Sequence, residues 1–245
     1  MITAIVLTKN SQKTIEKTLK SLTKFPEVVV LDSGSEDQTL AIAEKFPNVK
    51  TYNSPFLGFG PMHNYAAKLA SYDWILSIDS DETLSPPLIE EILSLKLDPE
   101  ALYHVRRHNY FNEKHIRGCS GWHPDIVPRL YHRKSTQFSN DLVHEKVLQK
   151  KLIPKTLHAP LLHTPYLEVR DFLEKMQHYS ELFAEQRKEE QGSLFQALIH
   201  SWAAFLKSYF LKKGFCAGRE GFVISMYTAH TAFYKYLKLT FRHKM

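Results

Sequence analysis

The first hundred residues alternate between short β-rich runs and helical patterns, and this alternation constrains the fold more than any other feature. Residues 2–7 form one β-rich run, and residues 27–31 form another that is almost wholly Val. Further runs stand at 49–52 and 74–78. Between them the spacing predicts helices over 11–22, where Ile15, Leu19 and Leu22 share a face, and over 37–45, 62–70 and 86–95. Pro47 ends the second of these, and a proline starts the last. Strands of about five residues alternating with helices of about ten imply βαβ units and a parallel sheet. Such a sheet binds its ligands beyond the carboxyl ends of its strands. The places to look are therefore residues 8–10, 32–37 and 79–82.

The later chain is less regular. Residues 103–108 alternate like a strand, and 118–128 read as a loop around Trp122. Phe172, Met176, Tyr179 and Phe183 mark an exposed amphipathic helix within 168–190. After Gly192 come two aromatic, basic segments split by Gly214, Gly218 and Gly221. With 245 residues and 43% hydrophobic content, the chain can bury a full-sized core. The two cysteines, Cys119 and Cys216, have no metal-ligand spacing and demand no disulfide, so a reducing, cytoplasmic compartment is expected. The N-terminal run lacks a basic leader and reads as a strand. No segment reaches the roughly 18–20 apolar residues that span a bilayer.

The strongest chemical signal is Asp79-Ser80-Asp81-Glu82, three acids directly after a buried strand. Such clustering is unfavourable unless a cation or donors compensate it. Hard divalent ions such as Mg²⁺ or Mn²⁺ take carboxylate oxygens together with substrate phosphates. The bland alternative is a solvated loop capping the helix at Pro86. A second signal is Asp32-Ser33-Gly34-Ser35-Glu36-Asp37. Asp32 at a strand tip suits a base or ribose, and Asp37 suits a helix cap or the nucleotide. Thr8-Lys9-Asn10 closes the first strand and is weak by itself.

Taken in order, strand-TKN, strand-DSGSEDQT, the GFG…N stretch of Gly58, Gly60 and Asn64, and strand-DSDE resemble family 2 glycosyltransferases with the GT-A fold. Residues 121–125, 129–131, 143–145 and 162–163 resemble the small bacterial lipopolysaccharide core glycosyltransferases. The resemblance implies an α/β fold with a mixed, mostly parallel, Rossmann-like sheet flanked by helices over residues 1–165. A helical extension over 166–245 would follow. It further implies an inverting transfer from a nucleotide-sugar donor, UDP-linked, to a saccharide or glycolipid acceptor. Thr8, Asn10, Asp32 and Asp37 would line the nucleoside pocket. Asn64 would lie beside the sugar-nucleotide, and Arg129 and Asp79 would meet the diphosphate. Asp81, Asp79 and His163 would hold the metal. Many relatives carry the catalytic base in a Glu-Asp pair, whereas this chain has His144-Glu145. Glu145 is the expected base, with Asp125 second. His144 would orient the acceptor, or serve as a core histidine.

Thirteen histidines invite a zinc reading. The i, i+4 pairs His104/His108 and His115/Cys119 lie in segments without helical character, and a closed site needs further convergent ligands. The net charge of +6 is local: after Gln191 there are eight Lys or Arg against one acid, Glu220, together with twelve aromatic residues. Aromatic rings and Lys/Arg suit an anionic membrane surface. They equally suit packing helices of a C-terminal lobe or an oligomer interface. No nucleic-acid-binding module pattern accompanies them, so no nucleic-acid partner is expected. A nucleotidyltransferase would need a Gly-rich phosphate loop after the first strand, which Thr8-Lys9-Asn10-Ser11 is not. A non-catalytic sugar-nucleotide or membrane-binding module is the other alternative.

Overall fold

The computed structural model describes residues 1–141, 145–148, 152–187 and 189–241. The chain forms two units: Met1–Arg107 with Ile126–His163, and His108–Asp125 with Thr164–Met245.

In chain order the first unit contains β1 (Ile2–Thr8), α1 (Ile15–Ser21), β2 (Glu27–Asp32), α2 (Thr39–Ala43) and β3 (Val49–Asn53). It continues with α3 (Phe59–Leu69), β4 (Trp74–Asp79), β5 (Glu82–Leu84), α4 (Pro86–Ser94) and β6 (Ala101–Phe111). The end of β6 and the short β7 (Lys114–His115) belong to the second unit, and β8 (Ile126–His132) and β9 (Ile153–His163) return to the first. The sheet order is β3-β2-β1-β4-β8-β6-β9-β5, with β7 on β6. The β3-β2-β1-β4 block is parallel. The β4–β8, β6–β8 and β5–β9 pairs are antiparallel. The sheet is thus mixed and mostly parallel at its core, as the alternating pattern predicts.

Every residue of β2 is buried, which is why it reads as an unbroken apolar run. Successive residues serve opposite faces. Ala4, Val6, Val28, Val30, Leu76 and Ile78 meet Ile15 and Leu19 of α1 and Leu88 and Ile92 of α4. Ile5, Val29, Leu31 and Ile75 meet Met62, Ala66 and Ala67 of α3. One charged group enters this core. Glu27 is 4% exposed and accepts hydrogen bonds from Thr3 Oγ1 (2.7 Å), the Ser71 amide (2.7 Å), Ser71 Oγ (2.6 Å) and Lys50 Nζ (2.8 Å). Burial works against its charge, but these donors outweigh it and hold its pKa down at about 2.

Several elements differ from the sequence expectation. Helix α1 begins at Ile15 rather than residue 11, because Asn10 takes a positive φ of 50° and the chain turns first. Residues 126–128, expected in a loop, open β8. Its Pro128 is tolerated opposite His104, beside a register shift at Tyr103/His104 that suits a residue with no N–H. Gly218, with a positive φ of 64°, opens a helix at the split, whereas Gly221 lies inside that helix.

The second unit holds α5 (Val169–Gln186), α6 (Leu194–Leu206) and α7 (Gly218–Phe241). A π-helical turn at Lys207–Leu211 and a 3-10 turn at Gly214–Ala217 lie between α6 and α7. Glu168 and Asp171 cap α5 reciprocally, as Ser193 and Gln196 cap α6. The core of this unit is aromatic: Tyr166 and Phe172 stack at 3.9 Å, beside Trp122 and Phe111. Both cysteines are free, Cys119 buried and Cys216 exposed. Among the described residues no helix is long and apolar enough to cross a membrane.

Candidate active site

Three strand tips of the first unit meet at one edge of the sheet. Parallel pairing aligns Thr8 with Asp32, and Leu7 with Asp79. Hydrogen bonds then tie the following turns together. Asn10 Oδ1 accepts from the Glu36 amide (2.8 Å), and the Asn10 amide donates to Ser35 Oγ (2.8 Å). Ser11 Oγ lies 2.9 Å from Ser80 Oγ, and Thr18 Oγ1 donates to the Ser80 carbonyl (3.0 Å). The sequence signals at residues 8–10, 32–37 and 79–82 therefore fall into one cluster.

Within it, Asp32 is 1% exposed and shapes its own turn. Its Oδ2 accepts from the amides of Gly34 (2.9 Å) and Ser35 (2.7 Å), and its Oδ1 from Ser35 Oγ. Asp37 accepts from the Thr39 amide (3.0 Å), the Thr39 hydroxyl and the Gln12 amide (3.2 Å). Burial opposes its charge, and these donors overcome it, lowering its pKa. Thr8 is 4% exposed, and its Oγ1 is buried with no hydrogen-bond partner among the described residues. A native structure rarely leaves such a hydroxyl without a function.

The acidic turn is compensated from within the chain. Arg129 on β8 is 6% exposed, and its Nη2 reaches both Asp79 Oδ2 (2.5 Å) and Glu82 Oε1 (2.5 Å). Arg107 on β6 adds a second guanidinium, 3.0 Å from Glu82 Oε1 and 3.8 Å from Asp79 Oδ2. Burial raises the Asp79 pKa, but the Arg129 charge dominates and holds the carboxyl well below its usual range. Glu82 is fully buried. Burial and the neighbouring Asp79 push its pKa up, against Arg129 and Arg107. Asp81 faces His163: the β5–β9 register sets His163 opposite Glu82, and His163 Nε2 lies 3.5 Å from Asp81 Oδ2.

That donor set fits a divalent ion in part. Among the described residues no group of three or more His, Cys, Asp or Glu is placed to hold one. Asp81 and His163 nevertheless offer one carboxylate oxygen and one imidazole nitrogen side by side. Such a pair can share Mn²⁺ or Mg²⁺ with phosphate oxygens. Asp79 already serves Arg129.

The remaining expected residues are placed as follows. Asn64 on α3 spends both ends of its amide on the Phe138 main chain, at 2.9 Å each. There it anchors the segment leading to Glu145. Gly60 fits the same segment, since a Cβ there would lie 1.9 Å from the Ser139 carbonyl oxygen. Glu145 is half-buried and precedes the Phe138–Val147 bridge. His144 lies outside the described residues. Asp125 belongs to the second unit, where its Oδ2 accepts from Asn109 Nδ2 (3.0 Å). The sequence reading missed two parts of the site. One is Arg107, which its strand alternation could have flagged as inward. The other is His63, next to Asn64 on α3, which is buried, stacks on Phe138 at 4.2 Å and lies 3.2 Å from Ser77 Oγ. Burial pushes its imidazole pKa down to about 4, with Arg129 in the same direction, so the ring is neutral at pH 7.

A nucleotide-sugar transferase built on a GT-A sheet is the class that this arrangement defines, and comparison with known proteins agrees. The chain belongs to glycosyltransferase family 2: the Glycosyl transferase family 2 model matches residues 3–158. It is 25% identical to the lipopolysaccharide core biosynthesis glycosyltransferase LpsC of Rhizobium meliloti, over all of this chain and 93% of that protein. In fold it resembles the mannosyltransferase PcManGT of Pyrobaculum calidifontis, solved with GDP-Man and Mn²⁺. That likeness has a TM-score of 0.55 at 15% identity, covering 96% of this chain and 86% of the other. It also resembles S. aureus TarS 1–349 solved with UDP, with a TM-score of 0.51 at 18% identity, covering 100% and 92%.

Proposed function

We infer that this glycosyltransferase moves a sugar from a UDP-linked donor to a saccharide acceptor, with inversion at the anomeric carbon. The observation that carries the reading is the convergence of the three strand tips, with the Asp81–His163 pair at their acidic end. Thr8, Asn10, Asp32 and Asp37 line the nucleoside side. Arg129 and Arg107 fix Asp79, and Asp81 and His163, side by side, would hold Mn²⁺ or Mg²⁺. Such an ion, when bound, supplies Lewis-acid stabilisation of the departing diphosphate. Glu145 takes the proton from the acceptor hydroxyl, with Asp125 the second candidate and His144 an orienting group. The acceptor is a lipopolysaccharide core or other envelope glycolipid, a reading supported by the full-length likeness to the Rhizobium meliloti protein. The exposed apolar and basic surface of the second unit favours work at the inner face of the cytoplasmic membrane. No nucleic-acid partner is involved.

Calorimetric titration of UDP with and without Mn²⁺, repeated on Asp81→Ala, tests the donor site. Metal-dependent binding that disappears in the variant is expected. GDP binding in place of UDP would change the donor, and no nucleotide binding at all would remove the reading. For the base, Glu145→Gln should lower transfer by roughly 10²–10⁴-fold while UDP affinity stays the same. Full activity would take Glu145 out of the role.

A further inference from the structure

The second unit contains a cavity of about 580 Å³, walled by α5, α6, α7 and residues 120–122. Nothing in the donor reading uses it. Its volume falls in the range of ligand sites, roughly 300–1,000 Å³, whereas helices packed only for stability close such gaps.

The wall has a definite chemistry. Trp122, Tyr166, Phe183, Tyr227 and Tyr236 supply aromatic surface. Lys207 and Lys235 supply positive charge, and among the described residues no acid lines the cavity. Lys235 is half-buried, and its ammonium lies 5.2 Å from the Phe183 ring centroid. Burial lowers its pKa and the Arg187 charge adds to this, as for a cation lacking its counter-ion. Glu220, the one acid after Gln191, is engaged elsewhere with Arg219 and Lys114. Two lysines with no acid among the described lining residues, beside flat aromatic walls, together specify a ligand. It carries negative charge, donates or accepts hydrogen bonds, and has an apolar face to lay on a ring.

We propose that this cavity binds an anionic saccharide, one bearing phosphate or carboxylate, with its charge at Lys207 and Lys235 and its ring against the aromatic wall.

The test is calorimetry on the full chain with glucose 6-phosphate, glucuronate, glucose and inorganic phosphate as probes. At least one acidic sugar should bind saturably and about tenfold more tightly than glucose or inorganic phosphate. Lys235→Gln should weaken it about tenfold, as for one lost charge-assisted hydrogen bond, and Lys235→Arg should largely retain it. Thr231→Met, which fills the cavity without changing charge, should give the same loss, and circular dichroism checks that each variant is folded. No saturable binding of either acidic sugar would overturn the proposal, as would unchanged affinity in Lys235→Gln. Inorganic phosphate binding as tightly as the sugar phosphate would also overturn it, leaving only a bare cation site. UDP titrated into the same wild-type sample reports on the donor reading separately. Acidic-sugar binding without UDP binding would remove that reading and keep the cavity.

Discussion

The two units treat charge and apolar surface in opposite ways. In the first, ionised groups go inside and are matched there. Glu27 has four donors, and Asp79 and Glu82 share Arg129 and Arg107. In the second, apart from the buried Glu220 with Arg219 and Lys114, cations stay outside or line a cavity with no acid among its described lining residues, and large apolar side chains face outward. Helix α6 carries no charge, yet Phe195 is 72% exposed and Trp202 65%. Buried, matched charge fixes one geometry, which a site that must position a diphosphate requires. Unmatched cations and uncovered rings are the signature of a surface that still awaits something.

The largest effect should come from breaking the first pattern at Arg129. Removing one member of a buried ion pair leaves the other charge uncompensated, at about 3–5 kcal/mol. Arg129→Met should therefore lower the urea midpoint sharply. Adding Glu82→Gln, which removes one of the two carboxylates that Arg129 serves, should recover part of that loss. A single variant as stable as wild type would mean that the carboxylates are protonated or solvated, and the contrast between the units would weaken.

Glu27 gives the next effect, with a defined pH window. Its folded pKa of about 2 lies below the ordinary carboxylate value, 4.5. Its contribution is therefore fully present above about pH 4.5 and is lost as pH falls toward 2. At 1.36 kcal/mol per pKa unit this amounts to about 3 kcal/mol for a side chain this buried. Glu27→Gln should destabilise by an amount of that order at pH 7, and the gap between variant and wild type should close between pH 4.5 and 2. A gap independent of pH would assign the loss to packing instead.

These two sites also show what the sequence makes legible. Strands β1, β2 and β4 are buried on both faces, so their apolar runs announce them. Strand β9 is exposed along its first four residues and carries Pro154 and Pro160, so neither alternation nor an apolar run marks it. The acidic run Asp79-Ser80-Asp81-Glu82 stood out in the sequence, because three acids directly after a buried strand need compensation. The Arg107–Glu82 pairing was not, because it joins residues 25 apart whose meeting depends on the sheet order. Helix α1 was placed correctly in its apolar face but begins later than expected, since a left-handed Asn10 leaves no mark in the apolar periodicity. The cavity in the second unit was invisible as a cavity: its lysines and aromatic residues read equally well as a membrane-facing surface.

The smallest effect on stability should sharpen the contrast most. Phe195, Leu198, Ile199, Trp202 and Leu206 recur at helical spacing on α6, and each is about half exposed or more. His200, Ala203, Ala204 and Lys207 of the same segment line the cavity instead. In sequence the outward stripe is followed by exposed Lys212 and Lys213, with no exposed acid among the described residues after Gln191. An apolar stripe edged by cations matches an anionic bilayer interface, which covers the rings and pairs the lysines. Side chains already in water add little to folding, so Phe195→Ser with Trp202→Ser should change stability by only about 0.5 kcal/mol or less per site. The same pair should reduce co-sedimentation with phosphatidylglycerol vesicles several-fold, and higher salt should weaken wild-type binding. Wild-type protein that ignores such vesicles but self-associates with rising concentration would assign the stripe to a second copy of the chain. A large stability loss in the double variant would mean that the stripe is covered within the monomer, and the contrast between the two units would fail at its clearest point.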